Sequence, residues 1–196
     1  MTADLELLLA TDRAVAWPQS QGTARRVTGP DLRAAEGDLA VSWFDPLDGR
    51  IQATCAVDVR VLSTFCTVVE WASAQAGPPS GAAVCLGEPE AVVSWEGEAW
   101  TFGVDRGVGC VVWSGAVEAV AARLLDPAEA LPVLAAVQSA TFHPLVLDHR
   151  VVGLAFHCGM GASTNLVHRG VDGDGRTVAL LADLELLDGA TPIGTP

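Results

Sequence analysis

The sequence predicts a mainly β domain of the α+β class: an antiparallel sandwich or partly open barrel with an N-terminal helix and a helical insertion around 115–138. Three observations predict it. From Asp38 onward, apolar residues alternate with polar ones or gather in strand-length runs. Turn sequences rich in Gly, Asp and Pro punctuate those runs at close spacing. In the interior, one block (Val117, Val120, Ala121, Leu124 and Leu125) repeats at helical spacing instead.

The elements follow in order. Leu5, Leu8 and Leu9 recur at helical spacing, with Thr2 as cap and Asp4 and Glu6 at the positive end of the helix. A Gly/Pro/Ser/Gln stretch covers Pro18–Gly22, and Pro30–Glu36 reads as a short helical turn that Gly37 stops. Asp38–Phe44 reads as a strand closed by the turn Asp45–Gly49. Ile51–Val61 alternates as one strand, and Phe65–Trp71 is a further β-prone run. Gln75–Gly81 is a loop. Strands are expected near Ala82–Leu86, Ala91–Trp95, Ala99–Val104 and Val108–Trp113, with Glu96-Gly97 as one of the turns between them. Ser114 is a candidate cap for the helical block, and Asp126-Pro127-Ala128-Glu129 starts a second helix that Pro132 weakens. Arg150–Cys158 is a strand. Asn165–Val171 and Arg176–Leu184 form a hairpin about Asp172–Gly175, because Asp and Gly tolerate the positive φ its turn needs.

These elements give a helical appendage over 1–36, one β-rich domain over 37–187 and a frayed tail over 188–196. The length of 196 residues suits one domain that needs no disulfide or metal staple.

Composition excludes several function classes. There are 24 acids against 11 bases, a formal charge of −13, and every base is Arg. No base falls between Arg60 and Arg106, whereas Glu70, Glu88, Glu90, Glu96, Glu98 and Asp105 do. Such a surface cannot displace the counterions of a nucleic acid, and it is repelled by anionic membranes. A basic protein partner is the complementary expectation. The longest apolar runs are strand-length, far short of a spanning helix, and the acidic N-terminus lacks the pattern of a signal peptide. These features predict a cytoplasmic protein. Cys55, Cys66, Cys85, Cys110 and Cys158 are odd in number and form no C-x-x-C pair, so they read as reduced core residues.

No motif carries a reaction. Gly159-Met160-Gly161 follows a strand but opens no convincing helix, so it does not make a dinucleotide fingerprint. Asp172-x-Asp174-Gly175 departs from a calcium loop at several ligand positions. His157 and Cys158 suit zinc chemically, but strand neighbours point to opposite faces. Cys158, His149 and Asp148 make a triad on paper only. Trp95 and Trp100 bracket a Glu-Gly-Glu turn and would mark a recognition surface if both rings were exposed.

Four stretches carry a resemblance. They are Gly37–Leu47, Ala82–Glu96, Phe102–Gly109, and Phe156–Gly161 with Gly170–Asp183. In this order and spacing the chain resembles the domain of unknown function 4241 family of mainly bacterial proteins, from Gly37 to Leu184. The family usually reads Gly-Trp-Gly-Asp-Gly-x-Tyr where this chain has Gly159-Met-Gly-Ala-Ser-Thr-Asn165. The resemblance implies a compact β-rich fold and no particular reaction.

The expectation is therefore a non-catalytic interaction module, partner-neutralising or regulatory in role, with no cofactor and no metal. Asp45, Asp105, Arg106, His157, Ser163 and His168 are its candidate ligand- or partner-facing residues. The rival expectation is a small hydrolase, with at least three of Asp45, Asp105, Arg106, His157 and His168 around one cleft. The third is a metal-binding protein using His157 or Cys158.

Overall fold

The computed structural model describes residues 5–9, 11–46, 49–72, 80–104, 107–140, 142–158, 163–188 and 190–193. Fifteen strands are described: β1 Arg13–Trp17, β2 Ser20–Thr28, β3 Leu32–Arg33, β4 Ala40–Phe44, β5 Ile51–Ala56, β6 Val61–Leu62, β7 Thr64–Trp71, β8 Ser80–Gly87, β9 Ser94–Val104, β10 Val108–Trp113, β11 Phe142–Leu147, β12 Arg150–His157, β13 Ser163–Val171, β14 Thr177–Asp183 and β15 Thr191–Pro192. Three α-helices accompany them: α1 Leu5–Leu8, α2 Val117–Leu124 and α3 Pro127–Ala140. A large eight-stranded sheet has the order β15-β1-β2-β7-β8-β14-β13-β9, and a small five-stranded sheet has the order β11-β12-β10-β4-β5. Every pairing in both is antiparallel, and β3 and β6 form a separate two-stranded ribbon. The mainly β expectation holds.

Period-two alternation explains the layering. In β10, Val111 and Trp113 face the large sheet, while Val108, Cys110 and Val112 face α2 and α3. In β14, Leu180 and Ala182 face the small sheet, while Leu181 faces α1 and Leu187. The central strands of each sheet thus bury both faces, which is why Val108–Trp113 and Thr177–Asp183 read as apolar runs rather than clean alternation. The central layer is pinned by three rings. Trp43 of β4 stacks on Phe102 of β9 at 5.0 Å between centroids, and Phe156 of β12 meets both edge-on at 5.9 and 6.0 Å.

The helical block forms as expected. Asp126 caps α3 through an Ala128 N–H···Oδ1 bond of 2.9 Å. Pro132 does not interrupt α3, because it lies on the exposed side, where solvent takes over the carbonyl its missing N–H would have met.

Six expectations are corrected. Residues 13–33 are strands rather than a helical appendage: β1 and β2 form a hairpin on the large sheet, burying Val15 and Ala24, and Pro30–Glu36 contains β3. Ile51–Val61 is not one strand. It breaks after Ala56, where Asp58 leaves the ladder to bond the backbone of Thr177. Glu96-Gly97 is not a turn. β9 runs through it as one 11-residue strand, and the extra length is absorbed where Val167 pairs Trp100 but Arg169 pairs Glu96. The strand expected from Ala91 starts at Ser94, because Pro89–Ala91 is a 3₁₀ turn. β11 was not expected; it pairs with β12 through Asp148-His149, both at positive φ, as a two-residue hairpin requires. The tail is tied rather than frayed at Thr191–Pro192, which pairs with β1, and Ile193 N–H reaches Ala14 O at 2.9 Å. Thr2, Asp4 and most of the loop at 75–81 lie outside the described residues.

Candidate functional site

Three sequence-selected residues, Asp45, His157 and Ser163, stand at strand ends: after β4, at the end of β12 and at the start of β13. Asp45 follows β4 and is buried, and its carbonyl accepts the Gly49 N–H at 2.9 Å. Phe44 lies opposite Cys110, and Val108 lies opposite His157. Asp45 and His157 therefore flank β10, two strand spacings or about 9.5 Å apart along the sheet. The ladder continues past β12, with Cys158 N–H bonding Gly107 O at 2.7 Å. Gly109 has to be glycine, because a Cβ there would come within 2.9 Å of the Phe156 ring and 3.1 Å of Cys158 Sγ.

Burial governs the electrostatics of these strand ends. It pushes the thiols of Cys110 and Cys158 far up, and the nearby Asp45 charge adds to both effects. Burial also lowers the His157 imidazole from its usual range, since it sits half out of water. Ser163 opens β13. Its Oγ accepts from Asn165 Nδ2 at 3.2 Å, and the same amide reaches Phe102 O at 3.4 Å. Asn165 is fully buried, so its amide serves to fasten the end of β9.

The rest of the candidate set does not join them. Asp105 and Arg106 lie outside the described residues. His168 is buried and pairs with Leu181, so its side chain lies on the outer face of the large sheet with that residue. The described residues therefore do not gather three of the hydrolase candidates around one cleft. Asp148 and His149 occupy an exposed turn at the far end of β12 from Cys158, about 30 Å away along the strand, and no triad forms. Among the described residues no three His, Cys, Asp or Glu side chains could hold a metal ion together. The Asp172–Gly175 segment is a turn held by its own side chain: Asp172 Oδ1 accepts from Asp174 N–H and Arg176 N–H, both at 2.9 Å.

Trp95 and Trp100 are both half-buried and belong to different layers. Trp95 packs on the outer face of the large sheet and Trp100 packs between the sheets, so they do not form one recognition pair. What they do flank is an edge. Among the described residues β9 pairs only with β13. Gly103 N–H turns away from β13 and donates to Oε1 of Gln52 on β5. By period two, Thr101 N–H points the same way, and its residue is exposed. The exposed Val93, Ser94 and Glu96 continue this edge. Sequence reasoning missed it because Glu96-Gly97 read as a turn.

A separate cleft of about 140 Å³ lies between α2, α3 and β11, floored by Val120, Leu124, Val133 and Leu145. Arg123 closes it on the protein's own groups, donating to Glu129 Oε2 at 2.6 Å and to Val146 O at 2.8 Å.

No helix among the described residues is long and apolar enough to cross a membrane. No family model matches the chain, and no curated protein or solved structure is detectably similar to it.

Proposed function

We propose that this chain is a cytoplasmic, non-catalytic interaction module that takes a basic, extended segment of a partner protein along the open edge of β9, neutralising or regulating that partner. The likeness to the domain of unknown function 4241 family is part of the same proposal and adds no reaction to it. The observation that carries the reading is the outward-turned amide of Gly103. A side chain, Gln52, stands where the carbonyl of an added strand would stand, and among the described residues no strand pairs with β9 along the edge beyond it toward Val93. Backbone pairing of this kind supplies affinity without a preformed pocket. Charge supplies the choice of partner: the chain has an excess of 13 negative charges, and the edge lies in the stretch without bases that carries Glu88, with Glu90 and Glu96 each held by one arginine, Arg26 and Arg169.

The test is fluorescence anisotropy with a labelled decapeptide alternating Arg and Val, against one alternating Glu and Val. The Arg peptide is expected to bind with a Kd of about 1–100 μM and to weaken with salt. Thr101→Pro removes an outward amide that β13 does not use, and proline is tolerated on such an edge. That variant is expected to keep its circular dichroism and lose binding. Hydrogen exchange provides the second readout, with the Thr101 amide gaining protection when the Arg peptide is added. Equal binding of both peptides, or a folded Thr101→Pro variant that binds like the parent, overturns the proposal.

A further inference from the structure

We infer that a second, independent site binds a small oxyanion in a cavity between β3, the start of β12 and the turn after β10. In a chain so rich in acid, an arginine without an acidic partner is unexpected. Arg25, Arg26, Arg123, Arg169 and Arg176 all make ion pairs. Arg33, Arg60 and Arg150 are exposed, and among the described residues none of the three makes an ion pair. Of these, Arg33 and Arg150 line one cavity of about 60 Å³, although they come from strands more than a hundred residues apart in the chain.

The remaining polar lining is already engaged. Asp38 contributes a carboxylate, but its Oδ2 accepts Gly115 N–H at 2.8 Å and its Oδ1 accepts Ala40 N–H at 3.4 Å. Those bonds hold the carboxylate against the backbone rather than against either guanidinium. Trp113, Ala116, Leu147 and Val152 complete an apolar wall. Arg33 and Arg150 both border this space, which has room for several waters. Such a space admits a phosphate or carboxylate group. A bound oxyanion relieves the repulsion between the two cations and satisfies their planar donors.

The neighbouring Arg60 supplies the control. Its amide partner across the β3–β6 ribbon is Ala34, one step out of phase with Arg33 and Ala35, and it does not line the cavity.

Isothermal titration with sodium phosphate and with sodium acetate, each against sodium chloride at matched ionic strength, tests the inference on the full chain. Phosphate or acetate is expected to bind with a Kd of about 1–10 mM, and whichever binds more tightly identifies the group as phosphoryl or carboxylate. Arg33→Gln and Arg150→Gln are each expected to weaken binding about tenfold, while Arg60→Gln stays within about twofold. All three positions are exposed, and thermal melts in chloride confirm that the variants fold. If neither anion binds above chloride, or the three variants weaken binding alike, the site does not exist. Binding to the Arg-Val peptide is measured in parallel and is expected to be unchanged in Arg33→Gln, so the two proposals fail separately.

Discussion

Asp58 and Thr177 are bonded twice across 119 positions of sequence. Asp58 Oδ2 accepts the Thr177 N–H at 2.7 Å, and Asp58 N–H donates to Thr177 O at 3.1 Å. The pair ties the irregular segment between β5 and β6 to the first residue of β14. It also explains why the alternation of Ile51–Val61 breaks where it does.

Removing the carboxylate therefore leaves the Thr177 amide, in a buried residue, without its acceptor. Asp58→Ala is expected to lower stability by about 1–2 kcal/mol. Asp58→Asn keeps an oxygen in place and is expected to recover most of that loss. Urea unfolding of the three proteins checks both statements; equal midpoints for Asp58→Ala and the parent would show that the bond contributes nothing.

Asp183 gives the fold a pH dependence of unusual sign. Burial raises its carboxyl from 3.8 to about 6; the Glu185 N–H bond of 2.8 Å opposes the rise, and the charges of Asp188 and Glu185 add to it. Between these two values the folded state keeps a proton that the unfolded chain has released. Its contribution to stability is therefore greatest below about pH 4, falls as pH rises through about 6, and is level above that. The shift corresponds to about 2–3 kcal/mol. Asp183→Asn cannot ionise and still accepts from Glu185. Its stability relative to the parent is expected to improve by that amount between pH 4 and pH 7. Parallel profiles in urea melts at the two pH values would refute this account of Asp183.

All five cysteines are free and buried. Burial pushes the thiol of Cys55 up to about 12, even though Trp43 lowers it somewhat, and pushes the other four well up too. Almost no thiolate exists at pH 8, and no sulfur is within reach of a reagent. A chromogenic disulfide reagent is expected to label the native protein only as fast as it unfolds, and all five positions at once in denaturant. A fast native phase from any one cysteine would place that sulfur nearer the surface than its packing indicates.

The sequence disclosed the interior more readily than the edges, for a physical reason. Unbroken apolar runs such as Val108–Trp113 and Thr177–Asp183 report burial on both faces, and those strands lie where the runs put them. Side-chain pattern does not report where a ladder ends. Glu96-Gly97 has turn chemistry, but β13 lies alongside and holds it extended. Arg13–Trp17 has only Val15 and Trp17 as its apolar signal, and becomes a strand because β2 and β15 bracket it. The hairpin at Asp148-His149 needs two positive φ angles at residues that rarely advertise them. The site followed the same rule. Asp45, His157 and Ser163 were legible as polar groups at strand ends. That Arg33 and Arg150 line one cavity, and that Gln52 meets Gly103, depends on folding alone.

Glycine separates close packing from open space in a way one pair of variants can measure. Gly153 sits in β12 between β10 and β11, opposite Val112 and Leu145. A Cβ there would lie 2.3 Å from Val111 O and 2.3 Å from Val112 Cγ1, with Val112 Cα at 2.9 Å. Two of these three atoms are backbone in the middle of the small sheet, so no rotamer change relieves the contact. Gly153→Ala is expected to cost about 3 kcal/mol, or roughly 6–12 °C in Tm for a domain of this size. Gly173, in the turn between β13 and β14, has nothing within 4 Å of the same added atom and no positive φ. Gly173→Ala is expected to be neutral or to stabilise by up to about 1 kcal/mol, because it restricts only the unfolded chain. Differential scanning calorimetry of both variants decides the matter. A Gly153→Ala protein melting with the parent would mean that β10, β11 and β12 do not approach one another as closely as their register requires.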